Sequence, residues 1–271
     1  MSINNETRLL TTASENPRKI RQPRMSLGKW SRTLGWKHLV GWVVCLYATF
    51  PILYIISTAF SKNASVSSGV LFADFYTGNF TALFDPANQH DRPFTQWVIN
   101  TLIIASINAF ASVFISAVAA YAFSRMRFAG RRGGLMTLIL IQMFPSILGL
   151  VAIFGILSAL TDYIPAIGLG TQWGLILVYL GGSLGGGTYL MYGFFNTVPK
   201  EIDEAAKIDG ATHTQIFFTI ILRLVAPILA VMALLSFIGT SSDFILASIV
   251  FNKSEQYTLA VGLGTLIDDP H

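Results

Sequence analysis

WVINTLIIASINAFASVFISAVAAYAF, residues Trp97–Phe123, holds no charged side chain. Crossing a bilayer's hydrocarbon core, about 30 Å thick, takes about 20 apolar residues as helix, and this run is longer than that. Four further runs have the same character: His38–Phe60, Leu135–Leu160, Trp173–Phe195 and Leu224–Phe251, broken only by Asp243. The 271-residue chain is 53% hydrophobic and 12% charged, about half the charge of an ordinary soluble domain and too little to cover a soluble surface. The expected fold class is therefore an all-α polytopic membrane protein with five visible spans. His38–Phe60 follows a basic segment, as a secretory h-region would, but it is too long, contains Pro51 and has no small-residue cleavage site. Trp97 and Trp173 open two runs, where amphipathic rings favour the headgroup region.

Other classes are excluded by residue type. The single cysteine, Cys45, permits no internal disulfide, and His38, His90, His213 and His271 lie far apart with no metal-binding spacing among them. The formal net charge of +4 could suggest nucleic acid, but no aromatic-interleaved basic module accompanies it. The basic residues instead mark orientation. Of 18 Lys and Arg, residues 1–37 hold eight, 124–134 four and 196–223 three, leaving Lys62, Arg92 and Lys253 for the opposite side. By the positive-inside rule the N-terminus and the loops 124–134 and 196–223 face the cytoplasm. This divides the chain into a basic cytoplasmic tail, 1–37, and a transmembrane domain, 38–271, with an external loop at 61–96. Phe72, Phe75, Phe80 and Phe84 in that loop suggest a folded or partner-facing cap, or one lying on the membrane.

The loop 196–223 reads NTVPKEIDEAAKIDGATHTQIFFTIILR. Pro199 suits a helix start, and Glu201, Asp203 and Glu204 suit its positive end. Asp203 and Lys207 stand at i,i+4, the spacing of a surface ion pair. A short helix is predicted over Lys200–Ile208, stopped by Gly210, with a second beginning near Thr212. On these grounds alone the loop is a helix–turn–helix connector at the membrane face.

Glu204-Ala205-Ala206-x-x-x-Gly210, followed after nine residues by Ile220-x-Leu222, resembles the EAA loop of permease subunits of binding-protein-dependent ABC importers. Arg223 stands where that family's pattern has proline. The likeness continues through Ala120–Phe128, Gln142-Met-Phe-Pro145, Tyr163-Ile-Pro165, Tyr179-Leu-Gly-Gly182, Ala226–Val231 and Tyr257–Gly262. These stretches resemble the carbohydrate branch, and within it the smaller subunits of maltose/maltodextrin-type importers. The resemblance implies a type I importer transmembrane fold in a bacterial or archaeal cytoplasmic membrane. It also implies a second, larger permease subunit, two cytoplasmic ATPase subunits, an extracytoplasmic sugar-binding protein and a carbohydrate cargo, maltose or malto-oligosaccharide. Members have six spans, so the expectation is a chain one span short, by about 35–45 residues on usual span-plus-loop lengths.

In that family the loop is a coupling helix that docks on the ATPase, which implies coupling roles for Glu201, Glu204, Ala205, Ala206 and Gly210. No G-x-x-x-x-G-K-[ST] occurs, so the chain is not expected to cradle ATP phosphates itself. No cofactor or metal is expected, and the resemblance implies a transport subunit rather than an enzyme, with ATP hydrolysed by the partner subunits. The glycines of 181–187 lie inside a hydrophobic run and read as close helix packing, a local break or a flexible element. Asp243, costing about 2.5–3.5 kcal/mol at a helix centre, is a candidate for the translocation path or a subunit interface. Gln142 and Pro145 are candidates for pore lining or helix bending. A secondary transporter driven by an ion gradient is the alternative class, although it needs coordinated intramembrane charges and only Asp243 is available.

Overall fold

The computed structural model describes residues 27–62, 75–85, 87 and 92–268. Most of the basic tail and of the external loop's centre therefore lies outside the described residues. Regular structure among the described residues is entirely helical. Five helices are long and apolar enough to cross a membrane: Ser31–Ala59, Phe94–Arg125, Ser146–Tyr163, Gln172–Phe195 and His213–Ser242. We label Ser31–Ala59 α1, Gly78–Phe84 α2 and Phe94–Arg125 α3. Arg131–Gln142 is α4, Leu150–Tyr163 α5, Gln172–Phe195 α6 and Lys200–Ile208 α7. His213–Ser242 is α8, Ile245–Val250 α9 and Leu259–Asp268 α10.

The described residues divide into two compact units, those up to Asn79 and those from Phe80 onward. In the first, α1 passes through Pro51 without ending. Asn79 fastens the end of α1 and the residues just past it: its Nδ2 donates to Ala59 O at 3.0 Å and Ser61 O at 2.9 Å.

In the second unit α3 is the central rod, flanked by α6 and α8. Its buried face carries Ala105, Ala109, Ser112, Ser116 and Ala120, small residues three or four apart, and its exposed face carries Leu102, Phe110, Phe114 and Val118. Water would favour the reverse arrangement. In lipid, large apolar residues gain nothing by hiding, and small ones let neighbouring backbones approach. Two apolar clusters follow, one around Tyr121, Met191, Phe195, Ile216 and Phe217, the other around Ile104, Leu175, Val250 and Phe251.

Three boundaries differ from expectation. Leu135–Leu160 is not one helix: α4 ends at Gln142, Pro145 sits in extended backbone, and a 3-10 turn at Ser146–Gly149 leads into α5. A residue preceding proline is pushed out of the helical region, and that stops α4. The last long helix begins at His213, not Leu224, and ends at Ser242, not Phe251. Residues Ile216–Ile221 are π-helical, and Pro227 lies inside the helix beyond them. Trp97 is only 1% exposed and belongs to the core, whereas Trp173 is exposed as an interfacial ring would be.

Candidate functional site

The helix predicted at Lys200–Ile208 forms with those bounds. Its end is a Schellman motif: Ala211 N–H donates to Ala206 O at 2.9 Å, and Gly210 N–H to Lys207 O at 3.0 Å, with Gly210 at φ +84°. Thr212 then caps α8 reciprocally. Its Oγ1 accepts from Gln215 N–H at 3.3 Å, and its own N–H donates to Gln215 Oε1 at 2.8 Å. Only Ala211 separates the end of one cap from the start of the next, so the corner is short.

The two faces of α7 are chemically distinct. Asp203 and Ala206 are buried, with Ala206 packed among Tyr121, Ile216 and Phe217. Glu201, Glu204, Ala205 and Ile208 are exposed, and these positions share one helical face. Ile208, at 87% exposure, is an apolar side chain offered outward among carboxylates. Of the five residues marked by the EAA likeness, then, four point outward or form the corner, and Ala206 seats the helix from within.

Asp203 does not pair with Lys207. It meets Arg125, at the end of α3, with Nε to Oδ2 at 2.6 Å, and the two side chains are 5% and 7% exposed. Arg125 Nη2 also donates to Val198 O at 2.8 Å. The connection spans 78 positions in the chain, and no local pattern announces it. Losing either member of such a buried pair would strand the other's charge, which losing one member of a screened surface pair would not do. The cleft between α7 and the α3–α4 turn is a cavity of about 500 Å³.

Asp243 is not embedded in a helix. Backbone at φ −74°, ψ 114° ends α8 there, and Asp243 Oδ1 accepts from Leu246 N–H at 3.1 Å, capping the short helix α9. Ser241 and Ser242 donate back to Phe237 O and Ile238 O in their own helix. Tyr179 of α6 stands beside the Asp243 carboxylate. Gln142, the last residue of α4, lies against the backbone of Gly185 and Gly186, where an added Cβ would come within 2.6 and 2.7 Å of its Nε2. Gly187 likewise admits Ser116 Oγ, at 2.5 Å from an added Cβ. The glycines at 185–187 are therefore packing positions in an unbroken α6. Asp243, Gln142 and Pro145 are not brought together in one site with α7. Among the described residues no three His, Cys, Asp or Glu cluster as a metal site would require.

A second polar centre, at the other end of α3, was not singled out from the sequence. Asn100 Nδ2 donates to Glu255 O at 2.9 Å and Tyr257 O at 3.0 Å, and its Oδ1 accepts from Gln96 at 2.8 Å and Gln172 at 2.9 Å. Trp97 Nε1 donates to Ser254 O at 2.8 Å, and Leu259 N–H to Thr101 Oγ1 at 2.7 Å. Every hydrogen-bonding site of the Asn100 amide is used. The loop before α10 is thus fastened to the start of α3.

Residues 112–268 match the family described as binding-protein-dependent transport system inner membrane component. Among curated proteins, the chain is 39% identical over 222 residues to the maltodextrin transport system permease protein MdxG of Bacillus subtilis (strain 168), covering 82% of this chain and 76% of that one. It is 37% identical over 221 residues to the galactooligosaccharides transport system permease protein GanQ of the same strain, covering 81% and 75%. Among solved structures it resembles a chain of a bacterial ABC transporter involved in the import of the acidic polysaccharide alginate, with TM-score 0.74 and 25% identity over 92% of this chain and 85% of that one. The match in sequence and in fold places this chain in the family of binding-protein-dependent transport system inner membrane components, as a multi-pass permease subunit of an ABC importer.

Proposed function

We propose that this subunit forms half of a translocation path for an oligosaccharide of the maltodextrin class, and that α7 transmits the ATPase stroke to it. The observation that carries the coupling role is the two-faced α7: an inner face fixed to α3 by Arg125–Asp203 and by Ala206, and an outer face presenting Glu201, Glu204, Ala205 and Ile208. A helix so held moves as a unit with the rod it is tied to, as a mechanical input requires. The cargo reading draws on the maltodextrin permease relative; the galactooligosaccharide relative at similar identity makes that sugar class the competing reading.

The N-terminus, the 124–134 segment and α7 face the cytoplasm in this reading, following the distribution of basic residues. The larger permease subunit, two ATPase subunits and an extracytoplasmic binding protein complete the importer, with ATP hydrolysed by the ATPase subunits. Asp243, with Tyr179 beside it, faces the path or the second permease subunit, and the Gln142–Pro145 break allows α4 and α5 to tilt separately.

Co-purification tests the assembly, and the sugar that stimulates ATP hydrolysis in the presence of binding protein identifies the cargo. Ile208→Asp tests the coupling face. The variant is expected to insert and melt normally, but to retain less than about a tenth of the co-purified ATPase, the loss of roughly 1.4 kcal/mol of docking. Undiminished ATPase recovery with normal uptake would overturn the coupling role. Uptake that survives ATP depletion but not an uncoupler would overturn the ATP-driven reading.

A further inference from the structure

The cavity of about 500 Å³ between α7 and the α3–α4 turn has an unusual wall. Arg125, Arg127 and Arg131 enter it from one side, and Lys200 and Lys207 from the other, while Asp203 and Glu204 are the carboxylates present. Asp203 is already paired with Arg125. Arg127, Lys200 and Lys207 have no ion-pair partner among the described residues and stand exposed. Arg125 is spent on Asp203 and on the Val198 carbonyl, so the cations left over for a ligand are Arg127, Arg131, Lys200 and Lys207. Arg127 and Arg131 also line a neighbouring groove of about 390 Å³ with Arg132, so the positive surface continues outward from the cavity.

We propose that this cavity binds a phosphate-bearing anion. Arginine forks and lysine ammonium groups converging from two walls suit the several acceptor oxygens of a phosphate, and the surplus of cations favours its charge. Bound there, the phosphate bridges the inner side of α7 to the α3–α4 turn and stiffens the junction that Arg125–Asp203 already makes. The phosphate can come from an anionic lipid headgroup at the membrane surface or from a soluble phosphate compound, since both present the same chemistry. This inference requires neither the cargo nor the coupling role proposed above.

The test uses the full chain, purified with the subunits that accompany it and stripped of lipid. Binding of phosphatidylglycerol and phosphatidylcholine is measured by native mass spectrometry, and binding of radiolabelled inorganic phosphate by equilibrium dialysis. Preference for phosphatidylglycerol of tenfold or more identifies the headgroup as the source, whereas phosphate binding that displaces the lipid identifies a soluble one. Either result is expected to weaken about fivefold per charge removed, so about 25-fold in Arg127→Gln/Lys207→Gln. Lys200→Gln, on the α7 side, is an independent second variant with an expected fivefold loss, and raised salt weakens all of them. The proposal is overturned if the wild-type chain prefers neither phosphatidylglycerol over phosphatidylcholine nor binds phosphate. Binding that is indifferent to both sets of substitutions overturns it too.

Discussion

Replacing Asp203 by Asn removes one charge with almost no change in volume, and leaves Arg125 buried with the Val198 carbonyl as its remaining partner. Breaking one side of a buried pair costs about 3–5 kcal/mol, because the surviving charge is uncompensated. With both side chains less than a tenth exposed, the lower figure is the conservative choice. About 3 kcal/mol corresponds to roughly a 150-fold shift in the equilibrium between seated and detached α7. Hydrogen exchange reads that equilibrium directly, since the α7 amides exchange through local opening. The expected outcome for Asp203→Asn is α7 amides exchanging about two orders of magnitude faster, while those in the middle of α3 are unaffected. Arg125→Met in the Asp203→Asn background removes the stranded charge and should restore more than half the protection. Acceleration below about fivefold, or a double variant no better than the single, would refute the reasoning: the pair would then be a screened surface contact worth under about 1 kcal/mol.

Three other outcomes follow from the packing. Asn100→Ala orphans two backbone carbonyls and two glutamine amides, and should cost at least about 2 kcal/mol, read as a lower melting temperature and new protease cleavage within 252–258. Gly262→Ala places a Cβ 2.2 Å from the buried Trp97 ring, a cost of about 1–3 kcal/mol; Gly239→Ala, with nothing within 4 Å, should leave melting unchanged. Asp243→Ala loses the cap on α9 and about 1 kcal/mol, whereas Asp243→Asn keeps an acceptor for Leu246 N–H. Equal melting of those two variants would show that capping is not what Asp243 contributes.

What could be read in advance was whatever depends on near neighbours in the chain. Proline, three acids, Gly210 and Thr212 set the bounds of α7 and its corner through local backbone rules, and the structure keeps them. Hydropathy found the spans but misjudged the start of α8, because His213, Thr214, Gln215 and Arg223 lower the average of a stretch that is helical all the same. Pro145 was readable as a bend but not as a full break. The partner of Asp203 was misassigned because Lys207 satisfies the i,i+4 rule, while Arg125 is reached only through the packing of α3 beside the loop. Asn100 was overlooked for a similar reason: an asparagine in an apolar run looks like a minor blemish until the loop at 252–258 folds over it. Trp97 looked like a surface ring because apolar runs in lipid do not reveal which face is inside.

Asn100 and Arg125 sit on one unbroken helix, 25 positions apart, which at about 1.5 Å per residue is some 37 Å. One fastens the loop before α10, the other fastens α7, and no joint lies between them. That makes α3 a lever rather than a relay. Rocking it by about 5° around the Arg125 end carries the Asn100 end through about 3 Å, by the same helical length. That throw is as large as the hydrogen bonds by which Asn100 holds the loop, so the loop must swing with the lever or let go of it.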